Sequence, residues 1–321
     1  MSVLQFSRRQ DVIAEEPAIV EIDKPIPLKF KPVERLKQSG LPKRLRKYFI
    51  ILASMALVLA YPVLVLQANH IDDDLTFPES INQNWSSPWA GVGTQILLRE
   101  ANVHGWTPDA PAWSPSARLT AMPAYQMAIA HAVGDFAELV NQQMGEPADT
   151  SLNSVALLLS RDVSANEIRA ASEALTSFDG GVRLRRFDDS MTTVQYAQRI
   201  ELLISWMRQS EAELSSIVDS AKGQPFDRDA VEAVYRSKAR AYMAHRFVSY
   251  MKAPAGLSIR SEMEASLKAL EKGAKFSPVF VLNTKADGLL LASHPTALYR
   301  QLLEAERVLS NMAQTVRAQS L

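Results

Sequence analysis

Apolar and polar positions divide this chain into three patterns. Residues 1–47 show no periodicity: charges alternate with Pro17, Pro25, Pro27, Pro32 and Pro42. Next comes YFIILASMALVLAYPVLVL, Tyr48 to Leu66, which carries no charge across 19 positions. From Pro123 onward apolar residues recur every three or four positions, which predicts helix after helix.

The uninterrupted segment has the length of a membrane anchor. At ~1.5 Å per residue it spans about 28 Å as a helix, close to the ~30 Å hydrocarbon core of a bilayer. Lipid cannot satisfy exposed backbone groups, so a helix is required there. Tyr48 and Tyr61 sit toward its ends, where amphipathic rings prefer the interface, and Pro62 marks the end of regular hydrogen bonding. Lys43, Arg44, Arg46 and Lys47 precede it and Asp72, Asp73 and Asp74 follow it. Cytoplasmic flanks retain Lys and Arg, so the amino terminus is expected inside and the rest exported. The four basic residues are also expected to touch anionic headgroups. A cleaved signal peptide would have an earlier, shorter core and a small-residue cleavage site, which Leu66-Gln67-Ala68 does not offer.

Four parts follow: a disordered basic arm (1–47), a transmembrane helix (48–66), a Trp/Pro-rich irregular region (67–122) and a helical domain (123–321). The irregular region holds Trp85, Trp89, Trp106 and Trp113 and one short helix from about Ala90 to Val103, with Ile96, Leu97 and Val103 inward. In the helical domain, Pro123–Met144 carries the small-residue stripe Ala124, Met127, Ala128, His131, Ala132. Ser164 with Glu167 makes a capping box for a helix to Phe178, ended by Gly180-Gly181. Between Thr192 and Ser220 the stripe is Ala197, Ile200, Ile204, Met207, Leu214, Val218, with Glu211 in one slot. Asp227 caps a second long helix bearing Val231, Val234, Ala241, His245 and Val248, so the two form an antiparallel hairpin. The last helix begins at Pro295 and repeats Leu298, Leu302, Ala305, Leu309, Met312, Val316. One exception, Pro278–Ser293, has β-prone runs around Asp287-Gly288 and reads as a small hairpin or extended excursion. The fold class is mainly α, a helical bundle with long antiparallel helices.

Charge sharpens this division. The neutral total conceals an arm of net +5 and a remainder of net −5. An acidic exported part with no basic run makes nucleic acid an unsuitable partner. Without cysteine there are no disulfides, thiolate nucleophiles or thiolate metal sites.

Chemistry is sparse. No phosphate-binding loop, dinucleotide fingerprint, nucleophile elbow or paired-histidine zinc motif occurs, and no cofactor is implied. His131 and Asp135 stand four apart on a helix and could share a metal, but no third ligand accompanies them. Asp188-Asp189 and Asp72 to Asp74 lack the ordered spacing of a calcium loop. The clustered Trp and Pro residues suit either an interaction surface or large rings packing an irregular segment onto the core.

The run WTPDAPAWSPSARLTAMPAYQ, Trp106 to Gln126, resembles the characteristic segment of a bacterial family of single-pass envelope proteins, domain of unknown function 2333. Trp106, Pro108, Pro111, Pro115, Leu119, Met122, Pro123, Tyr125 and Gln126 carry the resemblance, whereas Thr120 and Ala121 replace the family's Asp and Asn. The resemblance implies a Gram-negative inner membrane with a periplasmic domain and supplies no activity. The expected function is a non-enzymatic scaffold or interaction module with an envelope protein partner. The candidate surface is Trp106, Pro108, Trp113, Pro115, Met122, Pro123, Tyr125 and Gln126, with self-association possible through the helical stripes. The alternatives are an envelope hydrolase acting on cell wall or lipid, and a ligand-binding or transport-assisting module.

Overall fold

A computed structural model describes residues 47–56, 71–78, 81–112, 114–145, 149–186, 190–220, 227–278, 281, 283 and 294–319. Residues 47–56 are helical, with Tyr48, Phe49, Ile50, Ile51, Leu52 and Met55 all exposed. Residues 57–66 lie outside the described residues, as do residues 1–46 of the arm, Lys43, Arg44 and Arg46 among them. Among the described residues no helix is long and apolar enough to cross a membrane.

The main body is helical. Its elements are α1 (Ile81–Asn84), α2 (Pro88–Asn102), a short 3-10 turn (Pro115–Arg118), α3 (Ala121–Met144), α4 (Thr150–Leu158), α5 (Ala165–Arg183), α6 (Thr193–Asp219), α7 (Arg228–Tyr250), α8 (Arg260–Ala274) and α9 (His294–Ala318). No strand occurs among the described residues, and most of the expected hairpin, 279–280, 282 and 284–293, lies outside them.

Side-chain caps set many of the helix starts. Ser164 and Glu167 form the expected capping box, and Thr192 with Gln195 forms a second one at α6. Asp149 and Asp227 cap α4 and α7 by accepting from two backbone N–H groups each. The expected stop at Gly180-Gly181 does not occur. Neither glycine takes a positive φ; α5 continues to Arg183, and Arg185 adopts the left-handed conformation at φ 55°. The Arg185 and Arg186 amides close the end on the Val182 and Gly181 carbonyls.

The long helices run in alternating directions, as paired contacts show. Arg236 reaches Glu213 while Arg240 reaches Ser210, so α6 and α7 are antiparallel. Arg208 pairs with Glu306 and Arg317 with Glu201, which makes α6 and α9 antiparallel as well. Leu298, Leu302, Ala305, Leu309, Met312 and Val316 are all buried, so the whole α9 stripe faces the core. At Gly273 of α8 a Cβ would meet Leu302 at 3.0 Å and Ala241 at 3.1 Å, so the glycine lets α7, α8 and α9 approach closely.

One hydrophobic cluster spans both the Trp/Pro-rich region and the helices after residue 123. Trp89 from α2 lies 5.2 Å from Phe136 and 5.7 Å from Phe178, and Phe136 stacks on Phe247 at 4.2 Å. These rings join α2, α3, α5 and α7 across the centre. Ile96 and Leu97 point inward as expected, but Val103 is 74% exposed. It lies one residue past the end of α2, in a turn, where helical periodicity no longer sets its direction.

Candidate functional site

The densest group of buried ionisable side chains lies beneath residues 71–78, IDDDLTFP. Residues 71–77 are neither helix nor strand, and side chains from α2, α3 and α7 hold the segment. Lys238, only 1% exposed, places Nζ 2.7 Å from an Asp73 carboxylate oxygen. Arg99 pairs with the Asp72 carboxylate at 3.2 Å and donates to the Asp72 carbonyl, and its guanidinium stacks 4.8 Å above the Phe77 ring.

The backbone of the strap is held as firmly as its carboxylates. Tyr125 donates to the Asp72 carbonyl, Tyr242 to that of Asp74, Arg246 to that of Leu75 and Tyr250 to that of Pro78. Lys238, Tyr242, Arg246 and Tyr250 recur every four residues, so one face of α7 forms a ladder along the strap.

Burial sets the electrostatics. It pushes the Glu100 carboxyl up, against the pull of Arg99, and lowers the Lys238 ammonium, against that of Asp73. Tyr242 is pushed up to about 12 by burial, so its hydroxyl stays protonated and donating. Asp74 is held below its usual range by the Thr76 amide and hydroxyl. Asp72, Asp73 and Asp74 are thus engaged as counter-ions and a turn, and no group of three metal-ligating side chains occurs among the described residues.

Four residues of the candidate surface lie inside the protein: Trp106, Met122, Tyr125 and Gln126 are 6%, 1%, 0% and 0% exposed. The Trp106 indole donates to the Val163 carbonyl at 2.6 Å. The Gln126 side-chain oxygen accepts from the Thr107 amide and hydroxyl at 2.9 and 2.7 Å, and its nitrogen donates to the Gly105 carbonyl at 3.0 Å. These residues fasten the turn after α2 to α3. Pro108 and Pro123 are half-buried and line a cavity of about 250 Å3 with Arg228, Glu232 and Arg236. Pro115 opens the 3-10 turn, Trp113 lies outside the described residues, and Lys47 is exposed on its helix.

The α3 stripe, His131 included, lines a second cavity of about 370 Å3 together with Asp135, Trp206 and Arg240. Its ionisable groups are committed. His131 Nε2 lies 3.1 Å from the Arg161 carbonyl, Asp135 accepts from the Trp206 indole at 3.0 Å, and Arg240 pairs with Glu213 at 3.0 Å. Burial pushes the Asp135 carboxyl up.

Sequence reading missed the strap cleft. The signals were the tri-aspartate after the apolar segment and the Lys-Tyr-Arg-Tyr ladder hidden among the apolar positions of α7. No protein family, no curated protein and no solved structure matches this chain.

Proposed function

We propose that this chain is a membrane-anchored, non-enzymatic interaction module of a bacterial envelope, with a basic cytoplasmic arm and a helical domain on the far side. One observation carries the non-enzymatic reading. The main cluster of buried ionisable groups is spent on holding the chain's own segment 71–78. Catalytic groups need an open place beside them for a reacting atom, and here the strap fills that place.

The anchor reading is supported by the 19 uncharged positions and by exposed apolar side chains from Tyr48 to Met55, which need an apolar surrounding. Only residues 67–70 separate Leu66 from the strap, and four residues span at most ~14 Å. The resemblance of Trp106–Gln126 to an envelope family agrees with this location.

Two measurements test the reading. Single cysteines introduced at position 20 and at the exposed position 173 of this cysteine-free chain report topology by reaction with an impermeant maleimide in intact spheroplasts. Labelling is expected at 173 alone, and labelling at 20 alone would reverse the orientation. Purification in mild detergent after crosslinking is expected to recover a stoichiometric envelope protein; recovery of the chain by itself would remove the module reading.

A second reading, an envelope hydrolase, is favoured by the cavity beside His131 and Asp135. There Asp135, its carboxyl raised by burial, would donate a proton. It requires that His131→Ala and Asp135→Ala abolish a cell-wall or lipid hydrolysis that the purified chain performs.

A further inference from the structure

We propose that the cleft between α2, α3 and α7 is a receptor for acidic peptides, and that residues 71–78 are its internal occupant. The inference rests on the interaction-module reading and names the chemistry of the partner.

The cleft reads a peptide in two ways at once. Tyr125, Tyr242, Arg246 and Tyr250 each take a backbone carbonyl of the strap, at Asp72, Asp74, Leu75 and Pro78. Such contacts recognise a chain by its backbone, whatever its side chains. Arg99 and Lys238 then select consecutive carboxylates, at 3.2 and 2.7 Å. Phe77 under the Arg99 guanidinium adds an aromatic position downstream of the acidic run.

The receptor has more cationic capacity than the strap uses. Arg246 is 3% exposed and lies over the Tyr250 ring; Asp74 acts on it at longer range, no carboxylate among the described residues lies within ion-pair distance, and its buried Nε has no hydrogen-bond partner. Burying a guanidinium without an anion is costly when structure alone is at stake. An occupant with a better-placed acid would use it.

The same electrostatics say what can lift the strap. Lifting the strap takes the Asp73 carboxylate from Lys238 while Arg99 keeps Glu100 at 3.1 Å, so opening without replacement is disfavoured at Lys238. Another acidic peptide exchanges carboxylate for carboxylate and carbonyl for carbonyl, so exchange avoids that cost. The strap competes at the high effective concentration of a tethered segment, so an incoming peptide binds weakly until the strap is weakened.

The test uses the full chain in detergent micelles and a fluorescent synthetic peptide with the sequence of residues 69–80. Binding is read by anisotropy against a scrambled peptide. The paired substitution Asp72→Asn and Asp73→Asn keeps the strap's shape and removes its charges. That variant is expected to bind the peptide roughly a hundredfold more tightly than the unaltered chain. Adding Lys238→Met is expected to remove the gain. In the unaltered chain, saturating peptide is expected to accelerate amide exchange in residues 71–78, a readout that does not depend on any variant folding. Equal binding of the scrambled peptide, or unchanged strap exchange at saturation, overturns the proposal. A folded asparagine variant that ignores the peptide also overturns it. Partner recovery on crosslinking can succeed whatever this result, so the two readings fail separately.

Discussion

Two regions of this protein hold chain segments in place by opposite means. Along α9, six apolar side chains at three- and four-residue spacing bury themselves against the core, and no directional bond is needed. Along the strap, Ile71, Leu75 and Phe77 pack only partly against the core, and carboxylates, carbonyls and the donors of α7 add directional bonds. Apolar burial of this kind is non-directional and, taken by itself, carries no charge for salt or pH to act on. The strap's bonds are geometric: removing one partner leaves a specific buried group unanswered.

The largest effect is expected from the apolar region. Leu309→Ala, fully buried in the α9 stripe, should cost about 2–5 kcal/mol of unfolding free energy, nearly equal in low and high salt. A loss that varies strongly with salt would erase the contrast.

The strap should respond asymmetrically. Asp73→Ala strands the Lys238 ammonium, which is 1% exposed, whereas Lys238→Met leaves a carboxylate that is 33% exposed and can reach water. The aspartate substitution should therefore cost about 2–3 kcal/mol and the lysine substitution under about 1 kcal/mol. Urea titration of both variants checks the order, and equal losses would mean that the pair is not desolvated.

Trp106→Phe keeps a ring but removes the donor to the Val163 carbonyl, and should cost about 1–2 kcal/mol. The smallest effect tests pH within the helical seam. Burial, helped by Glu306, pushes Glu211 up to about 7 from its ordinary 4.5. A raised carboxylate means that the folded state holds the proton longer. Stability is therefore complete below about pH 4.5 and declines as pH rises through 7. Glu211→Gln should remove that decline, raising stability at pH 8 relative to pH 5 by about 1 kcal/mol after solvent screening. Parallel pH profiles for the two chains would refute it.

What the sequence made legible follows the same contrast. The α9 stripe, the Ser164 capping box and the Asp227 cap are written in local spacing, because burial and capping act within one helix. The Trp106–Gln126 motif was visible as a pattern but not as a role. Whether Gln126 faces a partner or the Thr107 amide depends on how the chain turns between residues 103 and 120. The strap was less legible still. Asp73 and Lys238 are 165 residues apart, and no periodicity encodes a contact between an irregular segment and a distant helix. Arg185 shows the converse limit, since a pair of glycines suggested a stop that the chain made four residues later with an arginine.

The α7 ladder has a mechanical consequence. Its four rungs, Lys238, Tyr242, Arg246 and Tyr250, meet the strap in sequence from Asp73 to Pro78. Tension arriving from the amino-terminal side meets the Arg99 and Tyr125 contacts at Asp72, then the Lys238 rung, and reaches the Tyr250 rung last. Such an attachment gives way step by step rather than all at once, and each step lengthens the leash by only a residue or a few.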